Sequence, residues 1–522
     1  MHYVTHNTPP KDIKISISNS IIFGLLVSAF FWALAAALNN SNANTIAATV
    51  SAVIDVYLLY HLIKVGMFCV SLLKTGSLFL SLSLSFGWLI SIIIHFFTLD
   101  YSIDYTLQLI SINAGQYAFG VLYASIFALS LGCLSISPIL SRMEMRVALS
   151  IKSLRLTPTY IPVIFLIILS LLDLFLISSG IIGQRKFGIS GQNVGEVEFY
   201  IPFLEMALGS QIALNSLALS RFNFKTELLS IKSLAIAVSL ILTLFIYFSK
   251  GRTGLIFFAV MHFVWITFIS GRLPRFKTLI IITAIGVPIY YNAMLASNMA
   301  RNMRYDTRTG TEVSGLNVAI GSATALKDTN VRAQQARRTA LNLSTRPLLA
   351  ASLSASMQKA NHDWKYLNGQ YLVNSLIWTI PRALFPNKVD VENAEVLMAS
   401  NGIVTGYSDV ADSLYFAGYV DFGWFGLIIY PIIIYTIAFF ILFMCEILGP
   451  AFSLVTLSSA IYAFTFGMGE ASVTGWLVMP RNMFLLFLIF PFGTFLFSHF
   501  SGRRGGKIRP RYGRRHVASP PR

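Results

Sequence analysis

The stretch KSLAIAVSLILTLFIYFSKGRTGLIFFAVMHFVWITFIS, residues 232–270, decides the fold. It contains two apolar runs, 232–249 and 254–270, separated only by Lys250-Gly251-Arg252-Thr253. A helix needs about 20 mainly apolar residues to cross the hydrocarbon core of a membrane. Because so short a connection can only turn the chain round, the stretch predicts a transmembrane helical hairpin whose tip carries two cations.

The composition extends this pattern to the whole chain. The 522 residues are 55% hydrophobic and 12% charged, with 41 Phe and 22 Tyr, and the mean hydropathy is +0.67. Soluble domains carry about 25% charged residues, so a soluble enzyme, a disordered chain and a repeat solenoid are excluded. The net charge of +17 would favour a nucleic-acid partner in a soluble protein. Here the basic residues lie mainly between apolar runs, where they orient spans, so no nucleic-acid partner is expected.

Twelve apolar runs are long enough to be transmembrane helices. They are 16–38, 46–71, 77–98, 114–138, 159–180, 199–220, 232–249, 254–270, 278–297, 418–445, 450–469 and 476–498. Connections rich in Lys and Arg alternate with poorly basic ones, and basic connections stay in the cytoplasm. The predicted organisation is therefore a cytoplasmic N-terminus (1–15), nine spans (16–297), a large outer segment (298–411), three spans (412–498) and a basic cytoplasmic tail (499–522).

The outer segment, residues 298–411, is too long to be a structureless connection. Residues 316–359 are rich in Ala, Leu, Gln and Arg with few helix breakers, which predicts two or more helices over the outer surface of the bundle. One face of these helices is expected to pack down, because apolar residues recur there at helical spacing: Leu348, Leu349, Leu353 and Met357. An independently folded soluble domain is less favoured, since few strand-like or core-forming runs occur.

Cations collect on the predicted outer face. They include Lys250, Arg252, Arg301, Arg304, Arg382, Lys388 and, near the outer end of the last span, Arg481. The guanidinium fork pairs with phosphate through two hydrogen bonds, so such a cluster suits a lipid-linked phosphate or pyrophosphate. The alternative is that arginines at helix ends only extend their charge into the interface. His362, the only histidine of the outer segment, is a candidate either for catalysis or for a structural hydrogen bond.

No metal, nucleotide or hydrolase motif accompanies these cations. The sequence lacks GxxxxGK followed by Ser or Thr, GxSxG and HExxH, and no second His or carboxylate stands at metal-ligand spacing from His362. We therefore expect neither a metal ion nor another cofactor. Ionisable residues inside the predicted spans are functional candidates by default, among them Asp55, Lys64, Asp173 and Glu205. Asp173 and Glu205 fit either a proton or ion route or pairing between helices.

Three stretches carry a resemblance. The first is Ser249 to Gly254, the hairpin SKGRTG; the second runs from NGQY (368–371) through IPRALFPNK (380–388); the third ends in DFGWFG (421–426). Together they resemble the bacterial O-antigen and oligosaccharide repeat-unit polymerases, which have an Arg-containing hairpin, an outer-loop PR-x-L-x-P-x-K pattern and an acidic, glycine-paired entry to the following helix. Val389 departs from the pattern, because the family often has proline after that lysine.

The resemblance implies a glycosyltransferase of the C-type superfamily in the bacterial inner membrane, with its active site facing the periplasm. The enzyme would move a growing glycan from undecaprenyl pyrophosphate to a lipid-linked oligosaccharide repeat unit, and family members work with a chain-length regulator. On this hypothesis Arg252, with Arg301 or Arg304, holds the donor pyrophosphate. Lys250, Tyr371, Arg382, Lys388 and Arg481 bind substrate or order the loop. His362 or Asp409 deprotonates or orients the acceptor hydroxyl.

Other functions remain open from the sequence. An O-antigen ligase shares the donor and the architecture but uses lipid A core as acceptor; the PR-x-L-x-P-x-K stretch favours the polymerase. A lipid-oligosaccharide flippase or ion-coupled transporter is expected to show internal repeats, and the halves of the chain show no convincing similarity. A purely structural scaffold leaves the two cations of the outer hairpin unexplained.

Overall fold

The protein is described here from a computed structural model. It covers residues 11–98, 103–109, 111–154, 160–178, 201–220, 230–249, 252–271, 292, 295, 324–345, 348–360, 366–380, 384–385, 391–392, 394–403, 413–465, 467–470 and 472–484. Within these ranges every regular element is helical. The helices are α1 (Lys11–Leu38), α2 (Ser41–Lys64), α3 (Leu72–Thr98), α4 (Ile103–Leu109), α5 (Ala114–Leu134), α6 (Pro138–Ser153), α7 (Tyr160–Ser178), α8 (Ile201–Leu219), α9 (Ile231–Ser249), α10 (Arg252–Ser270), α11 (Thr329–Thr345), α12 (Ala351–Ala360), α13 (Gln370–Thr379), α14 (Ala394–Ser400), α15 (Leu414–Phe422), α16 (Gly426–Leu448), α17 (Pro450–Phe464), α18 (Gly467–Glu470) and α19 (473–484).

The fold is that of a helical membrane protein. In the described ranges five segments are long and apolar enough to cross a membrane: Ile17–Leu38, Ser41–Lys64, Leu72–Phe96, Ala114–Leu134 and Leu414–Leu448. Four further apolar helices are shorter: Pro162–Phe175, Ile231–Leu244, Phe258–Ser270 and Phe452–Phe464. Large apolar side chains such as Phe23 (68% exposed) and Val53 (66%) point outward, as they do when a helix is apolar all round and faces lipid.

The core is built from α1, α2, α3 and α5, which pack against one another, with α16 against α5. Aromatic side chains fill the centre: the Trp88 and Tyr117 rings stack with centroids 5.1 Å apart, and Trp32 meets Tyr117 edge-on at 6.5 Å. A second group comprises α7, α8, α9 and α10, and α17 joins it to the core through α8. The hairpin predicted from residues 232–270 is therefore present as α9 and α10.

Several contacts join residues near the ends of different helices. In each case the two residues lie at the end of the bundle that the distribution of Lys and Arg assigns to the same side of the membrane. At the basic end the Lys74 ammonium donates to the Glu144 carboxylate at 2.9 Å, in a buried ion pair. Arg146 of α6 pairs with Glu446 at the end of α16. At the other end the Asn39 side chain accepts from the backbone N–H of Gly115 at 2.7 Å.

The outer segment contains the helices that the sequence predicted, and their apolar face is buried. Among the described residues it forms helices α11 to α14, with α11 packed on α3 and α12 on α5. The four residues predicted to pack down are all buried, which confirms that interpretation: Leu348, Leu349, Leu353 and Met357. The close approach of α12 to α5 depends on Gly120, because a Cβ there would lie 2.1 Å from the Ser354 hydroxyl.

Two predicted spans differ clearly from the helices in detail. The second was expected to continue to residue 71, but α2 ends at Lys64 and the chain turns through Gly66, whose φ of +71° favours glycine. The tenth was expected as one helix over 418–445, but the chain breaks at Gly423 and continues as α16. The ninth span (278–297) lies almost wholly outside the described residues, as does the last span beyond 484.

Candidate functional site

Helix α13, which follows the NGQY stretch, starts on the carboxylate of Asp421. The backbone N–H groups of Tyr371 and Leu372 donate to its two oxygens, each at 3.0 Å. Helix N-termini have free N–H groups and a partial positive charge, so a carboxylate placed there satisfies both. The capping residue is supplied by α15, fifty residues later in the chain, because the preceding position is Gly369, which has no side chain.

Three more hydrogen bonds complete this junction. The Tyr430 hydroxyl of α16 donates to Asp421 Oδ2 at 2.7 Å. The backbone N–H groups of Leu367 and Asn368 donate to the carbonyls of Val420 and Asp421, at 3.0 and 2.9 Å. Gly369 has φ +89°, and a Cβ there would lie 3.0 Å from the Phe422 ring. The NGQY stretch and the DFGWFG stretch are therefore in direct contact, joined through backbone and side chain.

The backbone break after α15 is held from inside the bundle. A 3₁₀ turn, Gly423–Phe425, separates α15 from α16, and Gly423 has φ +58°. The Tyr123 hydroxyl of α5 donates to the Gly423 carbonyl at 2.9 Å. Non-helical backbone at membrane depth persists only where its polar groups are satisfied inside the protein or line a cavity. The break between α15 and α16 is therefore stabilised by a specific hydrogen bond from α5.

Helix α13 is held at its other end by Arg481 of α19. One guanidinium nitrogen donates to the Thr379 carbonyl at 2.7 Å, and two others donate to the Asn482 side chain at 3.2 Å. A cation at a helix C-terminus complements the helix dipole, as an anion does at the N-terminus. Asp421 and Arg481 therefore clamp α13 from both ends, and we call this arrangement the α13 clamp.

The loop after α13 carries the PR-x-L-x-P-x-K stretch, and the residues that follow this stretch are hydrogen-bonded to the same helix. The Trp378 indole N–H donates to the Val391 carbonyl at 3.2 Å, and the Asn374 amide donates to the Glu392 carbonyl at 3.1 Å. Within the loop, Leu384 is 77% exposed. The loop therefore begins at the end of α13 and returns to the side of the same helix.

The predicted site residues fall into three groups. Tyr371 and Arg481 belong to the α13 clamp: Tyr371 is buried and contributes its backbone N–H, so its substrate-binding role stays a prediction. Arg252 is the first residue of α10, but its side chain lies outside the description. The remaining candidates also lie outside the described residues: Lys250, Arg301, Arg304, His362, Arg382, Lys388 and Asp409. Their roles stay predictions.

Sequence reasoning quoted Asp421 as part of a motif but missed its function as a cap, and it missed Tyr430 and Tyr123 altogether. The signal available was the glycine pair of DFGWFG next to an acid in an apolar run, since a carboxylate in such a run needs a specific partner. Asp173, expected either to conduct ions or to pair between helices, accepts a hydrogen bond from the Gln211 amide at 2.6 Å. The side chain of Glu205 lies outside the described residues.

No protein-family model, curated protein sequence or solved structure matches the chain. The candidate site therefore stands on its own geometry and on the resemblance of the three stretches.

Proposed function

We propose that the chain is a polysaccharide polymerase, a twelve-span glycosyltransferase of the C-type superfamily in the bacterial inner membrane. It transfers a growing glycan from undecaprenyl pyrophosphate to a lipid-linked repeat unit on the periplasmic side, without a metal ion. The observation that carries this proposal is the α13 clamp. Two of the three polymerase-like stretches, NGQY and DFGWFG, meet there through hydrogen bonds, and the third joins α9 to α10 in the sequence.

The chemistry needs a stabiliser for a leaving pyrophosphate. The acceptor hydroxyl oxygen attacks the anomeric carbon of the donor sugar, the bond from that carbon to the pyrophosphate oxygen breaks, and undecaprenyl pyrophosphate departs with the electron pair. Arg252, with Arg301 or Arg304, holds the developing negative charge. His362 or Asp409 takes the proton of the acceptor hydroxyl. Because the pyrophosphate is already an activated leaving group, no nucleotide is required.

The loop after α13 suits a lipid-linked substrate. Its sequence pairs two cations, Arg382 and Lys388, with the apolar residues Leu384 and Phe385, both of which are exposed. Cations beside exposed apolar side chains match a phosphate attached to a polyprenyl chain, because each half of the substrate finds a partner. A loop with tied ends also loses less conformational entropy when it orders around a ligand.

The experiment is Arg252→Ala in cells whose surface polysaccharide is separated by length. We expect single capped repeats in place of a ladder, because loss of one charge-stabilising donor costs about 10²–10³ in rate. The matched control is Arg146→Ala, which removes an arginine that pairs with Glu446 at the other end of the bundle and should leave the ladder unchanged.

Two results would contradict the proposal. A wild-type ladder from stably inserted Arg252→Ala protein would remove that residue from the mechanism. Complete loss of attached glycan, with lipid-linked polymer accumulating, would instead identify a ligase that transfers finished chains to lipid A core.

A further inference from the structure

Between α1, α2 and α3 lies a carboxylate that has no counter-ion among the residues the structure describes. Asp55 of α2 is fully buried, and neither of its oxygens is in hydrogen-bond geometry with a donor. The Ser81 hydroxyl of α3 nevertheless faces the carboxylate. In the described part of the chain the ion pairs are Lys74–Glu144 and Arg146–Glu446, and neither includes Asp55.

Buried serine hydroxyls from all three helices are linked to one another, and the chain of contacts reaches Asp55 through Ser81. The Ser28 hydroxyl of α1 donates to that of Ser51 at 2.8 Å and lies 3.2 Å from that of Ser81. Ser51 stands one helical turn before Asp55, and Ser85 one turn after Ser81, so each pair shares a helix face. Ser85 is also fully buried, and its hydroxyl has no hydrogen-bond partner. We call Asp55 with these four serines the Asp55 cluster.

The Asp55 carboxylate cannot remain ionised in this position without a partner. An ionised carboxylate without a partner costs several kcal/mol at such depth, and buried polar atoms without partners require an explanation, such as an ion. A single added proton would cancel the charge, but it would leave the Ser85 hydroxyl without a partner. A small cation contacts both oxygens and several hydroxyls together, and it also cancels the charge.

We propose that the Asp55 cluster is a binding site for Na⁺. Its ligand atoms are all hard oxygens, which suit hard cations rather than transition metals. One carboxylate and one monovalent cation leave the site neutral inside the bundle. The ion joins α1, α2 and α3, and this role is separate from the proposed glycan transfer, whose residues belong to other helices and to the outer segment.

The test measures ²²Na⁺ binding to the purified full chain in detergent by scintillation proximity, at constant pH and ionic strength with choline as the replacement cation. We expect saturable binding of one ion per chain, and a melting temperature that rises with Na⁺. Asp55→Asn should abolish both effects while the protein remains monodisperse, because an uncharged isostere needs no counter-ion. Ser81→Ala should weaken binding at least about tenfold, which corresponds to about 1.4 kcal/mol.

Two control variants separate the site from general effects. Glu446→Gln makes the same carboxylate-to-amide change in a residue paired with Arg146, and Ser130→Ala removes a hydroxyl that bonds only its own helix, at Ile126. Both should bind ²²Na⁺ as the wild type does. Folded wild-type protein that binds no ²²Na⁺, or Asp55→Asn that binds it normally, would overturn the proposal; the first result would identify protonated Asp55 instead.

Discussion

At the residue scale the most informative side chain is Asp421, because one carboxylate joins three elements. It caps α13, accepts from Tyr430 of α16 and belongs to α15. Hydrogen bonds to a charged group contribute about 1.5–3 kcal/mol each when the group is buried, and neutral ones about 1 kcal/mol. Asp421 therefore contributes more to the outer segment's position than any neutral contact in the junction.

Replacing Asp421 with Asn should lower the free energy of unfolding by about 2–3 kcal/mol. The amide has one acceptor oxygen, and its NH₂ group would face a backbone N–H of α13. Tyr430→Phe removes one bond to the same carboxylate and should cost about 1.5–3 kcal/mol. Titration with a denaturing detergent, followed by tryptophan fluorescence, measures both values.

The matched control for this change is Asp328→Asn. Asp328 also caps a helix, α11. Its carboxylate accepts a hydrogen bond from the backbone N–H of Asn330 at 2.8 Å, but the side chain is exposed. Asn is an equally good cap there, so the change should stay within about 0.5 kcal/mol. Equal losses for Asp421→Asn and Asp328→Asn would show that the buried junction adds nothing.

At the element scale the important feature is the crossing of α15 and α16. A Cβ on Gly426 would lie 2.2 Å from the Gly418 carbonyl oxygen, so the two helices touch backbone to backbone. That contact lets α15 fold back against α16 instead of extending it. The α13 clamp depends on this crossing, because it brings Asp421 and Tyr430 to the same point.

Gly426→Ala should force α15 and α16 apart and cost about 1–3 kcal/mol, with loss of the polysaccharide ladder if the α13 clamp serves polymerisation. Gly475→Ala is the control: the nearest atom to its Cβ would be the Ser472 hydroxyl, at 3.7 Å. There the alanine should leave stability unchanged or raise it by up to about 1 kcal/mol. A Gly426→Ala protein as stable as the wild type would contradict the close crossing.

Hydropathy predicted most of the described long helices because each one is an apolar run bounded by polar residues. It could not predict the break at Gly423, since FGWFG is as apolar as its surroundings. The break depends on Tyr123, which lies 300 residues earlier in the chain. The clamp on α13 was equally hidden, because its two ends come from α15 and α19. Charge counting located candidate cations but carries no information on which distant groups meet.

At the scale of the whole molecule, the contacts between helix ends show which connecting segments lie at the same end of the helical bundle. Lys74 and Glu144 lie at one end, while Asn39 and Gly115 lie at the other. This division agrees with the alternation of basic and poorly basic connections, which orients membrane proteins. The orientation of the two ends can therefore be tested by labelling one residue at each end.

Single cysteines in a background without Cys69, Cys133 and Cys445 should label from opposite sides. Asn42→Cys, exposed in the first turn of α2, should react with a membrane-impermeant maleimide in intact spheroplasts. Ser153→Cys, exposed at the end of α6, should react only after lysis. Both sites labelling equally before lysis would contradict the two-ended organisation and the cytoplasmic assignment of α6.

The capping of α13 by a later residue also sets an order for biosynthesis. A nascent chain exposes residues 370–379 well before the ribosome has made Asp421, and fifty residues take roughly 3–10 seconds at ordinary elongation rates. During that interval the first turn of α13 has two N–H groups without their acceptor. The α13 clamp can therefore be completed only after α15, and later α19 with Arg481, have been synthesised.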